Sequence, residues 1–327
     1  MDELEIRELT ISQEDSLSFK RLDQCLSHHF EDISRTTLKE LYKKGMIRSS
    51  VKLELKKLPS VGTLIFIDVP APKPMDAKPE NIPLDIIFED EDLIILNKPA
   101  GLVVHPAPGN YSGTLVNALL HHFSTIEKVG HQMRPGIVHR LDKGTTGLMV
   151  AAKSQAAFDG LSDLFSKHDI IRKYEAICVG KSIPIHGTLE STIGRHPQNR
   201  LKMAINVRNG RAAITNYKRL ASYGPFHHVE CSLETGRTHQ IRVHLTNITK
   251  TPIMLDPLYG NPTQDMMRIK KLLPFASIVD YPHPLLHAKI LGLNHPVTKK
   301  ELYFEQAPPK YFLEMLNLIK NLENVNE

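Results

Sequence analysis

Residues 139–150 read His-Arg-Leu-Asp-Lys-Gly-Thr-Thr-Gly-Leu-Met-Val, and the fold can be inferred outward from this stretch. It places Asp142 between Arg140 and a lysine, in a segment that contains glycine. The apolar runs 136–138 and 148–152 flank the segment, a pattern that predicts strand, tight loop and strand. Because nearby cations favour the charged form of a carboxylate, Asp142 suits a nucleophile better than a proton donor. Taken alone, an Arg-x-Asp loop is more often a structural ion pair than a catalytic site.

The composition is that of an ordinary globular protein. At 327 residues, 41% hydrophobic and 24% charged, the chain can form a substantial core and two domains. It has no run of about 18 apolar residues that would span a membrane, and its acidic N-terminus lacks the apolar core of a secretory leader. Its three isolated cysteines make no disulfide framework, so we expect a reducing, cytoplasmic environment.

The sequence also lacks the patterns that would indicate a bound metal or cofactor. It contains neither a CxxC nor an HExxH spacing, and it has no phosphate-binding loop of the nucleotide-dependent enzymes. We therefore expect no metal and no cofactor. Nothing in the chain indicates an oligomer, so we expect a monomer. The net charge of +5 is a mild preference for acidic partners.

A basic segment lies near the N-terminus. Residues 34–57 hold eight Lys or Arg against two acids. Ser34 is predicted to cap a helix over 37–44 that Gly45 ends, with a partner helix at 21–26 and a closing strand at 62–69. The apolar face of this helix carries Leu38, Leu41 and Tyr42, and its basic residues are Arg35, Lys39, Lys43 and Lys44. Such a face is either a solvated surface or an RNA-binding surface.

This segment resembles the alpha-L RNA-binding domain, which was first named from a small-subunit ribosomal protein. The resemblance covers residues 17–70, after an N-terminal tail of residues 1–16. It departs from the family at 48–50, where Arg-Ser-Ser replaces the usual Val-Asn-Gly. The residues that carry it are Arg21-Leu22-Asp23, Ile33-Ser34-Arg35-Thr36, Leu41-Tyr42-Lys43-Lys44-Gly45-Met46-Ile47 and Val61-Gly62-Thr63-Leu64-Ile65. The resemblance implies a small α/β domain that binds RNA.

A linker and a larger domain follow. Residues 71–83 belong to a stretch with five prolines, namely Pro70, Pro72, Pro74, Pro79 and Pro83, which predicts a semi-rigid spacer. Residues 84–327 are predicted to form one α+β domain. Its predicted strands are 93–97, 174–179 and 226–233, and its helices follow the caps Thr114, Ser154 and Pro309. We predict a surface insertion at 261–277.

A second basic block, residues 195–219, contains no acid at all. Asn209-Gly210 in its middle predicts a two-residue hairpin. A basic hairpin without carboxylates fits an arm that contacts phosphates, and the alternative is a mobile charged loop. The residues predicted to bind RNA here are Arg200, Lys202, Arg208 and Arg211.

Several motifs together resemble the RluA family of RNA pseudouridine synthases, and most closely its RluD-like branch. They span residues 80–305 in order, and the most specific are the His-Arg-Leu-Asp turn and the stretch at 236–244. The others are Ile94-Ile95-Leu96-Asn97-Lys98-Pro99-Ala100-Gly101-Leu102-Val103-Val104-His105-Pro106, Arg172-Lys173-Tyr174-Glu175-Ala176, Asp256-Pro257-Leu258-Tyr259-Gly260 and Leu286-His287-Ala288-Lys289. The resemblance implies a mixed, mainly antiparallel sheet of the pseudouridine synthase type. It implies the conversion of uridine to pseudouridine in structured RNA, without a metal or cofactor.

Roles carry over from the family by position. Asp142 matches the catalytic aspartate, and Arg140 matches the arginine that fills the space left by the extruded uridine. Tyr174 matches a tyrosine that packs on the target base, and Leu286 matches an apolar wall of the uracil pocket. Arg242 matches the basic residue that pairs with the catalytic carboxylate. Without the resemblance, Tyr174 and Leu286 would be assigned to the core, and Arg242 would be taken as an exposed residue of a strand.

The RluD-like branch implies large-subunit ribosomal RNA as the substrate. Two alternatives stay open at this point. One is an enzyme of the same family that acts on tRNA, and the other is a non-catalytic RNA-binding factor in ribosome assembly.

Overall fold

The computed structural model describes residues 4–30, 33, 35–70, 77–106, 110–131, 134–272 and 281–321. The chain divides into two compact units, Met1–Asp76 and Ala77–Glu327. The predicted cap Ser34, the linker prolines Pro72 and Pro74, and residues 273–277 of the predicted insertion lie outside the described residues. Within the described residues, every helix is too short or too polar to cross a bilayer.

The first unit is a three-stranded antiparallel sheet with three helices. Its elements are β1 (Leu4–Thr10), α1 (Gln13–Ser18), α2 (Leu22–His29), α3 (Arg35–Lys43), β2 (Ile47–Ser49) and β3 (Leu64–Pro70). The strand order is β1-β3-β2. The predicted helix at 37–44, its partner at 21–26 and the strand at 62–69 are confirmed by α3, α2 and β3.

The prediction of an N-terminal tail over residues 1–16 is wrong for the described residues. Leu4–Thr10 pairs with β3 along its whole length, and Ser12 caps helix α1 through a capping box with Asp15. The charged residues of β1 concealed it, because charged side chains are common on strands at the edge of a sheet.

The core of the first unit lies between the helices and the sheet. Leu22 and Leu26 of α2 meet Leu38 of α3 and Ile65 and Ile67 of β3, and all five are buried. The unit therefore has a hydrophobic core of its own.

The second unit is built on one large sheet. Its elements begin with β4 (Ile86–Glu89), β5 (Leu93–Lys98), α4 (Leu115–His122), a 3-10 helix (Ser124–Lys128), β6 (Gly130–His131), β7 (Arg134–Pro135), β8 (Thr146–Ala152), α5 (Gln155–Lys167) and β9 (Ile171–Val179). They continue with β10 (His186–Arg195), β11 (Met203–Ile205), β12 (Arg211–Tyr223), β13 (Phe226–Leu233), α6 (Gln240–Asn247), α7 (Pro262–Leu272), β14 (Leu286–Asn294), β15 (Glu301–Glu305) and α8 (Lys310–Lys320).

The large sheet has ten strands, in the order β11-β10-β12-β13-β9-β14-β8-β5-β4, with β15 paired to β14. Among the described strands every pairing is antiparallel except that of β8 with β14. The predicted mixed, mainly antiparallel sheet is therefore confirmed. Side chains of β9 alternate between two hydrophobic clusters: Tyr174 and Ala176 pack in one, Ile177 and Val179 in the other. Both faces of this central strand are covered, and β8 and β14 beside it are largely buried as well.

Most of the predicted elements of the second unit are confirmed. Strands β5, β9 and β13 match the predicted runs, and Thr114 and Ser154 cap α4 and α5 through their hydroxyl groups. Pro309 precedes α8 as predicted.

One predicted strand is wrong. Residues 136–138 form an irregular approach to the loop: Gly136, at φ +70°, packs against the carbonyl oxygen of Ala152, where a Cβ atom would lie 2.5 Å away.

Arg242, which without the family resemblance would be taken as an exposed residue of a strand, is buried in helix α6. Polar and apolar residues alternate from Gln240 to Leu245, and all six are buried, so the polar residues do not mark an exposed face of the helix.

The prediction of a hairpin at Asn209-Gly210 is also wrong. Asn209-Gly210 connects β11 to β12, but both strands pair with β10 and not with each other, so these residues do not close a two-residue hairpin. The predicted surface insertion at 261–277 contains helix α7, whose Ile269 is fully buried against the α8 cluster.

Gly147 gives a stability prediction for the sheet. It lies where β8 runs parallel to β14, its φ is +110°, and a Cβ atom would lie 2.2 Å from the carbonyl oxygen of Ala288. Gly147→Ala is expected to lower the free energy of unfolding by about 3 kcal/mol or more, because backbone strain and overpacking add. The control is Gly224→Ala, where φ is +58° and the Cβ atom meets nothing within 4 Å, with an expected decrease of about 1 kcal/mol. Equal decreases in urea denaturation would contradict this account.

Candidate functional site

The five site residues that the sequence predicted line one cavity of about 500 Å³ in the second unit. Asp142 and Arg140 come from the loop before β8, Tyr174 from β9, Arg242 from α6 and Leu286 from the start of β14. The pairing of β14 with both β8 and β9 brings these segments together. The site thus brings together residues up to 146 positions apart in the chain.

A buried lysine anchors the loop that carries Asp142. The Lys98 side chain is fully buried, and its Nζ donates to the carbonyl oxygens of Pro99 at 2.8 Å, Leu102 at 3.0 Å and Lys143 at 3.3 Å. Burial lowers the pKa of Lys98 to about 7, although the negative charge of Asp142 acts to raise it. The sequence motif at 94–106 contained this residue, but its function as an anchor of the neighbouring loop was missed.

Arg242 forms an ion pair with Asp142 and with a second carboxylate behind it. Its Nη1 donates to Asp142 Oδ2 at 3.0 Å, while its Nε and Nη2 donate to the two carboxylate oxygens of Asp256 at 2.7 and 2.8 Å. Burial alone would lower the pKa of Arg242, but the hydrogen bonds and charge of Asp256, and then of Asp142, raise it. Asp256 is fully buried, whereas Asp142 is half-buried and lines the cavity. Sequence reasoning missed Asp256, although the motif at 256–260 contained it.

A second group faces Asp142 from the start of α6. His239 has a left-handed backbone at φ +58°, and its Nε2 lies 3.9 Å from Asp142 Oδ1. Its Nδ1 is 2.8 Å from the hydroxyl of Tyr259, which accepts from the backbone N–H of Met203 at 2.7 Å. Burial lowers the pKa of His239, although the negative charge of Asp142 acts to raise it. The His239 ring thus lies between the Tyr259 hydroxyl and the Asp142 carboxylate.

Tyr174 and Leu286 form an apolar wall. Both side chains are buried, at 7% and 4% exposure, and the register of β9 with β14 places Ala288 opposite Tyr174. Burial raises the pKa of Tyr174, with the charge of Arg172 opposing it, so the phenol is neutral at physiological pH. The wall can pack against a flat ring.

Arg140 lies at the exposed side of the cavity. Its Nη1 donates to His105 Nε2 at 3.3 Å, so its hydrogen bond goes to a histidine and not to Asp142. Burial, and then the charge of Arg140, lower the pKa of His105 to about 4. The imidazole is thus a neutral acceptor that adds no negative charge beside Arg140, on which the charge of Asp142 also acts.

The predicted RNA-binding residues differ in their surroundings. In the first unit, Arg35 donates to the buried Asp23 at 2.7 Å, whereas the side chains of Lys39, Lys43 and Lys44 are exposed. In the second unit, Arg211 lines the cavity, Lys202 lies 5.9 Å from the Tyr259 ring centre, and Arg200 and Arg208 are exposed.

The cavity is strongly cationic. Among the described residues that line it, Asp142 is the one carboxylate, against six arginines: Arg134, Arg140, Arg172, Arg211, Arg237 and Arg242. A cavity with this charge balance attracts a polyanion.

Two groups of side chains in the described residues have the spacing to hold a metal ion: Asp15, Cys25 and His29, and Asp90, Asp92 and His295. In each group the histidine already bonds a carboxylate of the same group. His29 bonds Asp15 at 2.7 Å and His295 bonds Asp90 at 2.9 Å. Burial raises the pKa of Cys25 to about 12, so its thiol stays protonated. Neither group is part of the cavity.

Asp256→Asn tests the ion pairs behind the cavity. The amide can no longer accept hydrogen bonds at both positions that Arg242 occupies, and breaking a buried pair costs about 3 kcal/mol or more. The matched control is Asp265→Asn: this buried carboxylate accepts one backbone hydrogen bond, from Leu255 at 3.0 Å, which an amide oxygen can also accept. We expect the control to be destabilised by about 1 kcal/mol or less. If urea denaturation shows similar destabilisation of the two variants, the ion pair between Arg242 and Asp256 does not contribute the expected stability.

Comparison with known proteins agrees with these motifs. A model of the RNA pseudouridylate synthase family matches residues 92–247. The chain is 40% identical over 296 residues to ribosomal large subunit pseudouridine synthase D of Zymomonas mobilis, covering 89% of this chain and 90% of that protein. It is 37% identical over 315 residues to the protein of the same name from Escherichia coli strain K12, covering 96% and 94%.

A solved structure is also similar. Human RNA pseudouridylate synthase domain containing 4 matches with a TM-score of 0.54 and 28% sequence identity, covering 72% of this chain and 93% of that one. Sequence relatives and structural neighbour thus agree on the family and the fold. The chain belongs to the RNA pseudouridylate synthases, within the RluA family that its motifs indicated, and is an enzyme that isomerises uridine to pseudouridine in RNA.

Proposed function

We propose that this enzyme modifies particular uridines of large-subunit ribosomal RNA and that Asp142 is its catalytic carboxylate. The observation that supports Asp142 most is its position: a half-buried carboxylate, held by the buried Arg242, in a cavity whose other charged lining groups are arginines. The choice of ribosomal RNA is supported by the two relatives named for the large subunit, each matched over nine-tenths of its length.

The reaction explains the need for a positioned carboxylate. The bond from ribose C1′ to uracil N1 breaks and a bond from C1′ to C5 forms, while C5 loses a proton and N1 gains one, so the product is an isomer. The Asp142 carboxylate can attack the ribose, attack the base or accept a ribose proton. Each of these routes requires an anion that does not rotate away from the substrate, and the hydrogen bond from Arg242 holds it.

Arg140 is proposed to stabilise the RNA after the target base has left the stack. Extruding a base costs a few kcal/mol, and a planar cation can fill the gap and contact phosphate. Arg140 is exposed at the cavity and has a histidine, not a carboxylate, as its partner. Tyr174 and Leu286 would then receive the extruded uracil between apolar surfaces.

Asp142→Asn is expected to abolish pseudouridine formation while RNA binding persists, because the amide is nearly isosteric but carries no negative charge. The measurement is pseudouridine mapping of ribosomal RNA and tRNA from cells that lack the protein, complemented with wild type or with the variant. Wild type should restore modification in large-subunit ribosomal RNA, and Asp142→Asn should not.

The control is Asp163→Asn, which removes an exposed carboxylate that pairs with Lys167 on α5. It should restore modification fully. Restoration by Asp142→Asn would rule out the catalytic role. Loss of modification in tRNA, with ribosomal RNA unchanged, would instead refute the proposed substrate.

We propose that the first unit is an alpha-L domain that binds a part of the RNA other than the part in the cavity. Lys39, Lys43 and Lys44 lie on or directly after α3, and their exposed side chains can bind phosphates. Replacing all three by Ala should weaken RNA binding and reduce the slope of log affinity against log salt by about 3, because each lysine that neutralises a phosphate adds roughly one to that slope.

The matched control replaces Lys167, Lys310 and Lys320 by Ala, three exposed lysines on α5 and α8. Both triple variants have the same net charge, so non-specific attraction falls equally. A salt slope that falls equally in both variants would contradict a binding role for the α3 lysines. Filter binding of RNA over roughly 50 to 200 mM salt gives the salt slope of each variant and separates the two outcomes.

A further inference from the structure

The mechanism proposed above leaves one buried cation of the cavity without a role. Arg172 lies two residues before Tyr174 in β9, so both side chains leave the strand on the same face, and both line the cavity. Arg172 is 8% exposed. Sequence reasoning quoted it in a motif but assigned it no function.

The hydrogen bonds of Arg172 are incomplete. Its Nη2 donates to the carbonyl oxygens of Leu233 at 3.5 Å and Glu234 at 3.2 Å, and its guanidinium lies 5.5 Å from the centre of the Phe165 ring. Its Nε is buried and has no hydrogen-bond partner among the described residues. No carboxylate in the described part of the chain forms a salt bridge with it.

The contrast with Arg242 shows what is missing. Arg242 is equally buried, and two carboxylates compensate its charge. Arg172 has only carbonyl dipoles and a ring. A buried cation without a counter-ion is costly, so its retention in a substrate cavity indicates that an anion completes the site when substrate binds.

The chain packs closely on one side of Arg172, because a Cβ atom at Gly236 would lie 2.9 Å from Arg172 Nη1. The space for an anion is the cavity itself, which Arg172 lines together with Tyr174. A carbonyl of the uracil could accept a hydrogen bond from the guanidinium but would leave its charge uncompensated. A phosphate can accept that hydrogen bond and also compensate the charge, and arginine is the side chain best suited to bind it.

We propose that Arg172 binds a non-bridging phosphate oxygen directly next to the target uridine and so positions the extruded nucleotide against Tyr174. The inference rests on the proposed function, because it requires RNA in this cavity. It gives Arg172 a role distinct from that of Arg140: Arg140 is exposed and stabilises the RNA that stays behind, whereas Arg172 is fixed and holds the nucleotide that enters.

The test pairs a protein variant with a modified RNA. The probe is a stem-loop containing the uridine identified by mapping, with each of the two phosphates that flank it replaced in turn by an uncharged methylphosphonate. Binding is measured in the Asp142→Asn background to prevent turnover. With Arg172 intact, affinity should fall about tenfold or more at one of the two positions, as expected for a charged hydrogen bond.

In Arg172→Met the same methylphosphonate should cause no further decrease in affinity, and the salt slope should fall by about 1. Arg172→Lys should keep the salt slope of the wild type. Arg268→Met removes an exposed arginine of α7 that does not line the cavity and should keep the full sensitivity to the methylphosphonate.

A purely structural role predicts a different pattern. Arg172→Met would then have a lower melting temperature and weaker binding, but the methylphosphonate would still weaken binding of the variant as much as that of the wild type, and the inference would be wrong. Failure of the proposed function is recognised by a different result, namely that the Asp142→Asn variant still forms pseudouridine.

Discussion

The site depends on one buried arginine that binds two carboxylates. Asp256 receives hydrogen bonds from Arg242 Nε and Nη2 and from the backbone N–H groups of Leu258 and Tyr259. This arrangement fixes the plane of the guanidinium from behind, so that only Nη1 remains to hold Asp142. Because Asp256, which is not among the residues that line the cavity, fixes Arg242 from behind, the position of Asp142 does not depend on bound substrate.

The sheet explains why such a site can be assembled from distant residues. Strand β14 pairs with β9 on one side and, at its start, with β8 on the other, so three strand ends and the start of α6 meet at one place. The anchor Lys98 ties the loop that carries Asp142 to the neighbouring strand β5. Rigid strands thus hold the loop that carries Asp142 in one conformation.

Local sequence patterns predicted the elements that follow ordinary rules. The capped helices α4 and α5 and the strands β9 and β13 have clear signals within ten residues. The wrong predictions concern segments whose conformation is set by distant contacts: α6 is buried along six consecutive residues, and Asn209-Gly210 joins strands that both pair with β10. The five predicted site residues meet in one cavity, but only the family resemblance identified them. Asp256, Tyr259 and Arg172 were missed because their importance lies in partners that are remote in sequence.

The charges of the cavity divide its residues by function. An arginine whose charge a carboxylate already compensates, such as Arg242, has little positive field left for RNA and serves to position Asp142. An arginine that bonds only to neutral acceptors, such as Arg140 with His105 or Arg172 with two carbonyl oxygens, keeps more of its field, and we propose that it acts on the substrate. Arg172 is buried without a carboxylate partner among the described residues, and the anion that we propose for it would supply the missing negative charge. On this proposal, binding of RNA and placement of Asp142 use the same residue type, and the presence or absence of an internal counter-ion decides which task each arginine performs.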